Sequence, residues 1–182
     1  MALMHSTMVP LGTPAVDFKL PGVDGKTVSL ESFSEKKILV IIFMCNHCPY
    51  VKAVFQRLID LQKETESVQL IGINSNDAER YPDDSFENMQ KIAKEKGINF
   101  PYLFDASQET ARAYDAVCTP DIYVYGAERK LLYRGRIDDS WEHEEKVTRR
   151  DLKEALDCIV AGQEVSGEQI SSMGCSIKWK EN

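Results

Sequence analysis

The chain has 182 residues, long enough for one domain with a sizeable core, and its 43% apolar and 9% aromatic content excludes low-complexity disorder. Its 22 Lys plus Arg against 29 Asp plus Glu leave a net charge of −7 without a basic cluster, a poor match to nucleic acid or an anionic membrane surface. The longest uninterrupted apolar run, Ile38 to Cys45, falls well short of the roughly 20 residues of a membrane-spanning helix.

Met1 to Leu11 has no Lys or Arg, and His5, Ser6 and Thr7 interrupt its apolar stretch, so no export signal is expected and a cytoplasmic location is. No repeat or linker divides the chain. It is read as a single domain, 1–182, with an N-terminal hairpin extension over 1–30 and a C-terminal tail over 163–182.

The first elements form a hairpin: a strand at Phe18 to Leu20, the Pro21 to Gly25 turn, then Lys26 to Leu30. Ile38 to Phe43 is a β-branched run without polar alternation, the mark of a central strand covered on both faces. From Pro49 to about Lys63 the apolar residues fall on one helical face. A strand at Val68 to Ile73 follows, then a helix from Ser85 to Lys96 ended by Gly97. Phe100 to Phe104 is a short strand and Ser107 to Tyr114 a short helix. Ile122 to Tyr125 and Leu131 to Ile137 make an antiparallel hairpin around Gly126, Ala127 and Glu128. A last helix runs from the N-cap candidate Thr148 to Val160, with Gly162 to end it. This order implies an α/β fold, a mixed central sheet flanked by helices on both faces.

Cys45-Asn46-His47-Cys48-Pro49 sits where the central strand passes into the first long helix. A thiolate at a helix N-terminus meets free N–H groups and the positive end of the macrodipole, which lower its pKa. Pro49 is tolerated in the first turn, where its missing N–H has no partner anyway. Two cysteines at this spacing can close a small reversible disulfide. In this reading Cys45, expected to be the more exposed, attacks a substrate disulfide and Cys48 resolves the mixed disulfide. His47, when protonated, stabilises the Cys45 thiolate. Lowering a thiol pKa from about 8.5 to about 7 corresponds to roughly 2 kcal/mol. The competing reading is a zinc half-site, but there is no second such pair, and His5 and His143 stand apart.

Val117-Cys118-Thr119-Pro120-Asp121 precedes the Ile122 strand. The Thr119–Pro120 bond is a candidate for the cis form, which would turn the Thr119 backbone toward the cysteine helix; the alternative is a proline opening a strand.

Together these residues resemble the thioredoxin-fold superfamily, and within it the peroxiredoxin-like (AhpC/TSA-type) branch that carries a CxxC pair. Matching segments include Asp17 to Lys26, Cys45 to Tyr50, Asn74 to Asp77, Tyr81 to Asp84, Cys118 to Asp121, Tyr133 to Asp139 and Gly174 to Trp179. The resemblance implies a thioredoxin-like fold, Cys45 as nucleophile, Cys48 as resolver and Pro120 as the cis-proline. The chain departs from the peroxiredoxins proper, which carry a Thr three residues before the peroxidatic cysteine. Counting back from Cys48 gives Cys45, and from Cys45 gives Ile42. Arg136 is a candidate for the cationic partner of a peroxide.

Of the remaining cysteines, Cys118 is either a third redox thiol or a small buried hydrophobe, and Cys158 reads as half-buried on the last helix. Cys175 is an auxiliary thiol that could reach back to the pair, unless Ile177 and Trp179 simply pin the tail. Asn74 to Asp77, after a strand's C-terminal end, could line a substrate groove. The acidic stretch from Asp138 to Glu145 reads as solvated surface.

The function expected is a thiol–disulfide oxidoreductase using Cys45 and Cys48, tuned by His47, with Thr119 and Pro120 aligning a peptide-like substrate. It needs no cofactor or metal. Its partners are a disulfide-containing protein, or a small thiol or peroxide, and an external reductant such as a thioredoxin system; neither nucleic acid nor membrane is expected. The alternatives are a peroxiredoxin-like thiol peroxidase, or a copper- or zinc-binding or redox-sensing module, the copper version drawing on a distant ligand such as His143.

Overall fold

The computed structural model describes residues 3–181. In chain order its elements are β1 (Leu3–His5), β2 (Lys19–Pro21), β3 (Thr27–Ser29), β4 (Ile38–Phe43), α1 (Pro49–Glu64), β5 (Val68–Asn74) and α2 (Phe86–Lys96). They continue with β6 (Tyr102–Phe104), α3 (Glu109–Ala113), β7 (Cys118–Thr119), β8 (Asp121–Tyr125), β9 (Leu131–Arg134), α4 (Asp151–Val160) and β10 (Met173–Ser176).

The central sheet has the order β6-β5-β4-β8-β9, with β4 parallel to β5 and antiparallel to β8. Every residue of β4 is buried. Strand alternation sends Ile38, Val40 and Ile42 into a core shared with α1, α2 and α4, and Leu39, Ile41 and Phe43 into a second core with α3 and the β2–β3 hairpin. Burying each such side chain is worth about 1.5–3 kcal/mol, so β4 anchors both layers. This is the expected thioredoxin-like fold.

Local chemistry sets several boundaries as expected. The Ser85 hydroxyl caps α2 by accepting from the Asn88 N–H, and Gly97 takes the left-handed C-cap with φ 65°. Gly162, with φ 70°, follows the end of α4. Two boundaries differ by more than the small shifts seen at the other elements. Thr148 does not cap α4, because its N–H and hydroxyl both bond Asp139, and the helix begins at Asp151. The strand expected over Leu131 to Ile137 stops at Arg134: Gly135 turns the backbone, and the Arg136 N–H goes to the Ile170 carbonyl.

A second, three-stranded sheet has the order β1-β10-β7. Strand β10 pairs antiparallel with β1 on one side and with β7 on the other, placing Cys175 opposite Thr119 and Ser176 opposite Cys118. The tail is thus laid along the strand that leads into Pro120. Buried polar groups hold it there. The Asn76 side chain accepts from the Lys178 N–H, the Lys178 carbonyl accepts from the Asp77 N–H, and the Gln108 amide donates to the carbonyls of Ser75 and Lys178. Residues 74–77, which could have lined a substrate groove, are all buried, and Asn76 and Asp77 bond the tail directly.

Candidate active site

Helix α1 starts at Pro49 with Cys48 as its N-cap, so Cys48 stands where free backbone N–H groups converge. Cys45 is at the end of the β4 run, one turn of chain earlier. The Thr119–Pro120 peptide is cis and lies against both sulfurs. Cys48 Sγ is 3.1 Å from the Thr119 carbonyl oxygen, to which it donates when protonated, and Cys45 Sγ is 3.4 Å from Thr119 Oγ1.

The expectation of an exposed Cys45 is corrected: Cys45 is 1% exposed, Cys48 0% and Cys175 2%. All three belong to the core that packs against α1.

The two thiols act on one another. The Cys45 thiol is pushed well above its ordinary value because it gives its hydrogen bond to Cys48, is buried, and lies near the Asp84 carboxylate. Cys48 is lowered, first by the hydrogen bond from Cys45, then, against the cost of burial, by bonds from Cys175, the Val51 N–H and Thr119. Cys48 is the sulfur at the helix N-terminus, where free N–H groups and the macrodipole favour the thiolate form.

His47 is not free to act on Cys45 alone. Its Nδ1 lies 2.5 Å from Asp84 Oδ2, and its ring stacks on Tyr81 with centroids 5.5 Å apart. Asp84 is fully buried and also accepts from the Asn46 N–H and the Asn76 amide, both at 2.7 Å. Burial would raise its pKa, but the bonds from His47 and Asn76 outweigh this and hold it below the usual carboxylate value. The Tyr102 hydroxyl donates to Asn46 Oδ1, fixing the motif's second residue. Asp84 and Tyr102 were missed as site residues. Asp84 closes the Tyr81 to Asp84 segment that carried part of the family resemblance, yet nothing local marks which motif it clamps.

Cys45, His47 and Asp84 offer ligand atoms within 4.8 Å of one another. Asp84 already accepts three hydrogen bonds, whereas His47 Nε2 is buried without a partner among the described residues. His143 lies outside this group, beside Glu142 and Glu145. Cys118 is buried, its thiol raised by burial and by Asp121, which fits an inert core residue, and Cys158 is half-buried as expected.

Arg136 forms an ion pair with Asp151 at 3.0 Å and borders a cavity of about 150 Å³ that adjoins Tyr50, Pro120 and Trp141. The acidic stretch is not solvated throughout. Asp138 is buried and paired with the buried Arg57 of α1, which also donates to the Ser140 and Trp141 carbonyls.

A paired-thiol centre at a helix N-terminus, facing a cis-proline on a mixed sheet, defines the class of thioredoxin-fold proteins with a two-cysteine motif. More closely, residues 11–134 match the AhpC/TSA family, and the chain belongs to that family. It is similar over 100% of its length, at 47% identity and a TM-score of 0.95, to an uncharacterized conserved protein from Geobacillus kaustophilus, of which 98% is covered. A hypothetical protein from Sinorhizobium meliloti is 38% identical with a TM-score of 0.94, covering 98% of this chain and 99% of the other. The thioredoxin domain of a thiol-disulfide oxidoreductase from Bacteroides vulgatus shares the fold at 17% identity and a TM-score of 0.60, covering 69% of this chain and 88% of that one. No curated protein matches the sequence.

Proposed function

We propose that the protein is a thiol–disulfide oxidoreductase that cycles Cys45 and Cys48 between dithiol and disulfide. The observation that carries this reading is the helix N-cap sulfur of Cys48 against the Thr119 carbonyl, with the Cys45 sulfur against the Thr119 hydroxyl, beside cis-Pro120. On its place as the N-cap of α1 the attack falls to Cys48 and resolution to Cys45, the reverse of the assignment that the resemblance implies.

The Cys48 thiolate attacks one sulfur of a substrate disulfide and expels the other as a thiolate, leaving a mixed disulfide. Cys45 then attacks the Cys48 sulfur, the second substrate sulfur departs, and the Cys45–Cys48 disulfide forms. The proton of Cys45 leaves with that thiol; the His47–Asp84 pair, within 4.8 Å, is placed to receive it on the way. Two electrons pass to the substrate, and an external dithiol reductant of the thioredoxin-system kind returns them. No cofactor takes part. Because both sulfurs are covered, small disulfides are expected to react faster than folded protein disulfides.

The test is the reaction of the reduced protein with glutathione disulfide. Stoichiometric formation of a Cys45–Cys48 disulfide, lost in Cys48→Ser, is the expected result; a Cys48→Ser protein that reacts at the wild-type rate would overturn it. Hydrogen peroxide provides the second arm. Oxidation no faster than that of a free thiolate supports disulfide exchange, whereas a much faster reaction replaces it with the peroxiredoxin-like thiol peroxidase reading. The buried His47 Nε2 beside Cys45 favours a metal-binding alternative. Tight stoichiometric zinc or copper(I) uptake, lost in both Cys45→Ser and His47→Ala, would establish that alternative.

A further inference from the structure

Resting on the disulfide-exchange reading, we propose that Cys175 is a second resolving thiol, which takes the disulfide over from Cys45 by attacking the sulfur of Cys48. The argument begins with the pairing register. Strand β10 places Cys175 opposite Thr119, the residue whose carbonyl and hydroxyl touch the sulfurs of Cys48 and Cys45. Cys175 and Cys48 share one buried cluster, close enough for each to act on the other's acidity, and β10 packs directly on α1, whose N-cap is Cys48. Cys48 therefore has a thiol neighbour on each of two separate segments, one from its own motif and one from the tail.

Neighbouring chemistry keeps Cys175 closely packed. A Cβ on Gly174 would collide with the Thr119 carbonyl, so only glycine lets the tail approach this closely. Ile177 is buried one residue beyond Ser176, and its N–H bonds the Val117 carbonyl at 3.0 Å. The tail is held on both sides of the thiol.

The exchange balances without an added oxidant. From the Cys45–Cys48 disulfide, the Cys175 sulfur forms a bond to Cys48 Sγ, the Cys45–Cys48 bond breaks, and the proton of Cys175 ends on Cys45. From a Cys48–substrate mixed disulfide, the same attack expels the substrate thiol. Oxidation state is conserved within the chain in the first case, and two electrons reach the substrate in the second.

The environment of Cys175 changes in the direction this step needs. While Cys48 is a thiolate, the Cys175 thiol is pushed up to about 12, by burial first and then by its hydrogen bond to Cys48 and the charge on that sulfur. Once Cys48 is in a disulfide the charge is gone and the bond is weakened. The burial contribution remains, and the Lys178 cation opposes it. Cys175 thus holds its proton in the reduced centre and releases it more readily in the oxidised one.

The experiment removes Cys45 and asks what resolves Cys48. Reduced Cys45→Ser protein is treated with one equivalent of dithiobis-nitrobenzoate, and released thionitrobenzoate and disulfide-linked peptides are followed. The expected result is release of a second thionitrobenzoate and a Cys48–Cys175 linked peptide, with the adduct decaying roughly 100-fold faster than in Cys45→Ser/Cys175→Ser, as an intramolecular neighbour allows. An adduct on Cys48 equally long-lived in both variants, or a Cys48 that takes no adduct, overturns the proposal. Wild-type protein run in parallel isolates the parent reading: failure to form Cys45–Cys48 there sinks disulfide exchange by the motif itself. Far-ultraviolet circular dichroism of each variant, with Cys45→Ala as a second replacement, separates a lost thiol from a lost fold.

Discussion

The two faces of the central sheet are built from alternate residues of one strand and behave as opposites. On one face Leu39, Ile41 and Phe43 meet an aromatic cluster in which Phe43 lies 5.6 Å from Tyr114 and 6.0 Å edge-on to Tyr123. Tyr114 also packs edge-on against Tyr125. On the other face Ile38, Val40 and Ile42 lead into Met44, Cys45 and Cys48, where hydrogen bonds and a buried carboxylate govern the groups. The first face stores stability in shape and contact. The second places polarisable sulfur in a setting where one proton can move. The thiol pair is confined to one side, while the other keeps β4 in place through apolar and aromatic contact.

The most direct way to break the comparison is Phe43→Ala. It is expected to cost about 3–5 kcal/mol in denaturant unfolding through the cavity left among Tyr114 and Tyr123. The pH midpoint of Cys48 alkylation by iodoacetamide should stay where it is; a midpoint that moves with stability would show that the faces are not separable. Next comes Asp84→Ala on the redox face, which strands the donors of Asn46, Asn76 and His47 and is expected to cost about 3 kcal/mol. Asp84 has a depressed folded pKa, so its contribution is present above its ordinary value of 3.8 and lost as pH falls through the lower folded value. The gap between wild type and variant should therefore close on acidification in urea titrations.

A smaller effect of opposite sign is expected at Asp121, which borders the aromatic face through the Tyr123 hydroxyl. Burial raises this carboxyl from 3.8 to about 6, so its favourable contribution exists at low pH and is lost as pH rises through about 6. Asp121→Asn should accordingly stabilise the protein by about 2–3 kcal/mol at pH 8, a gain that vanishes near pH 4. Equal stabilisation at both pH values would refute the assignment of the charge. Smallest of all, Cys158→Ser is expected to change stability by no more than about 0.5 kcal/mol and to leave glutathione disulfide consumption unaltered.

Much of the scaffold was legible because its causes are local. The unbroken Ile38 to Phe43 run, the Ser85 cap, the Gly97 terminator and the thiol pair before Pro49 each act within a few residues of themselves. What escaped is non-local. Strands β1 and β10 are short, and what marks them is pairing with each other and with β7. The approach of the tail thiol Cys175 to the pair was one of two readings open in the sequence, but the strand pairing that seats it beside Thr119 was not. The clamp of Asp84 on Asn46 and His47 joins loops far apart in the chain, and the pairing of Asp138 with Arg57 likewise. Thr148 shows the limit of local rules from the other side: a good capping residue was captured by Asp139 before it could cap.

The register of β10 on β7 has the character of an integer. A slip by a single residue would put Gly174 or Ser176 opposite Thr119 and turn Cys175 to the opposite side of the ribbon. No intermediate setting exists, so the presence of a third sulfur at the centre depends on parity, not on a graded distance. Gly174 acts as the counting mark: shifting the ribbon either way brings a side chain to the place where the Thr119 carbonyl leaves no room for one.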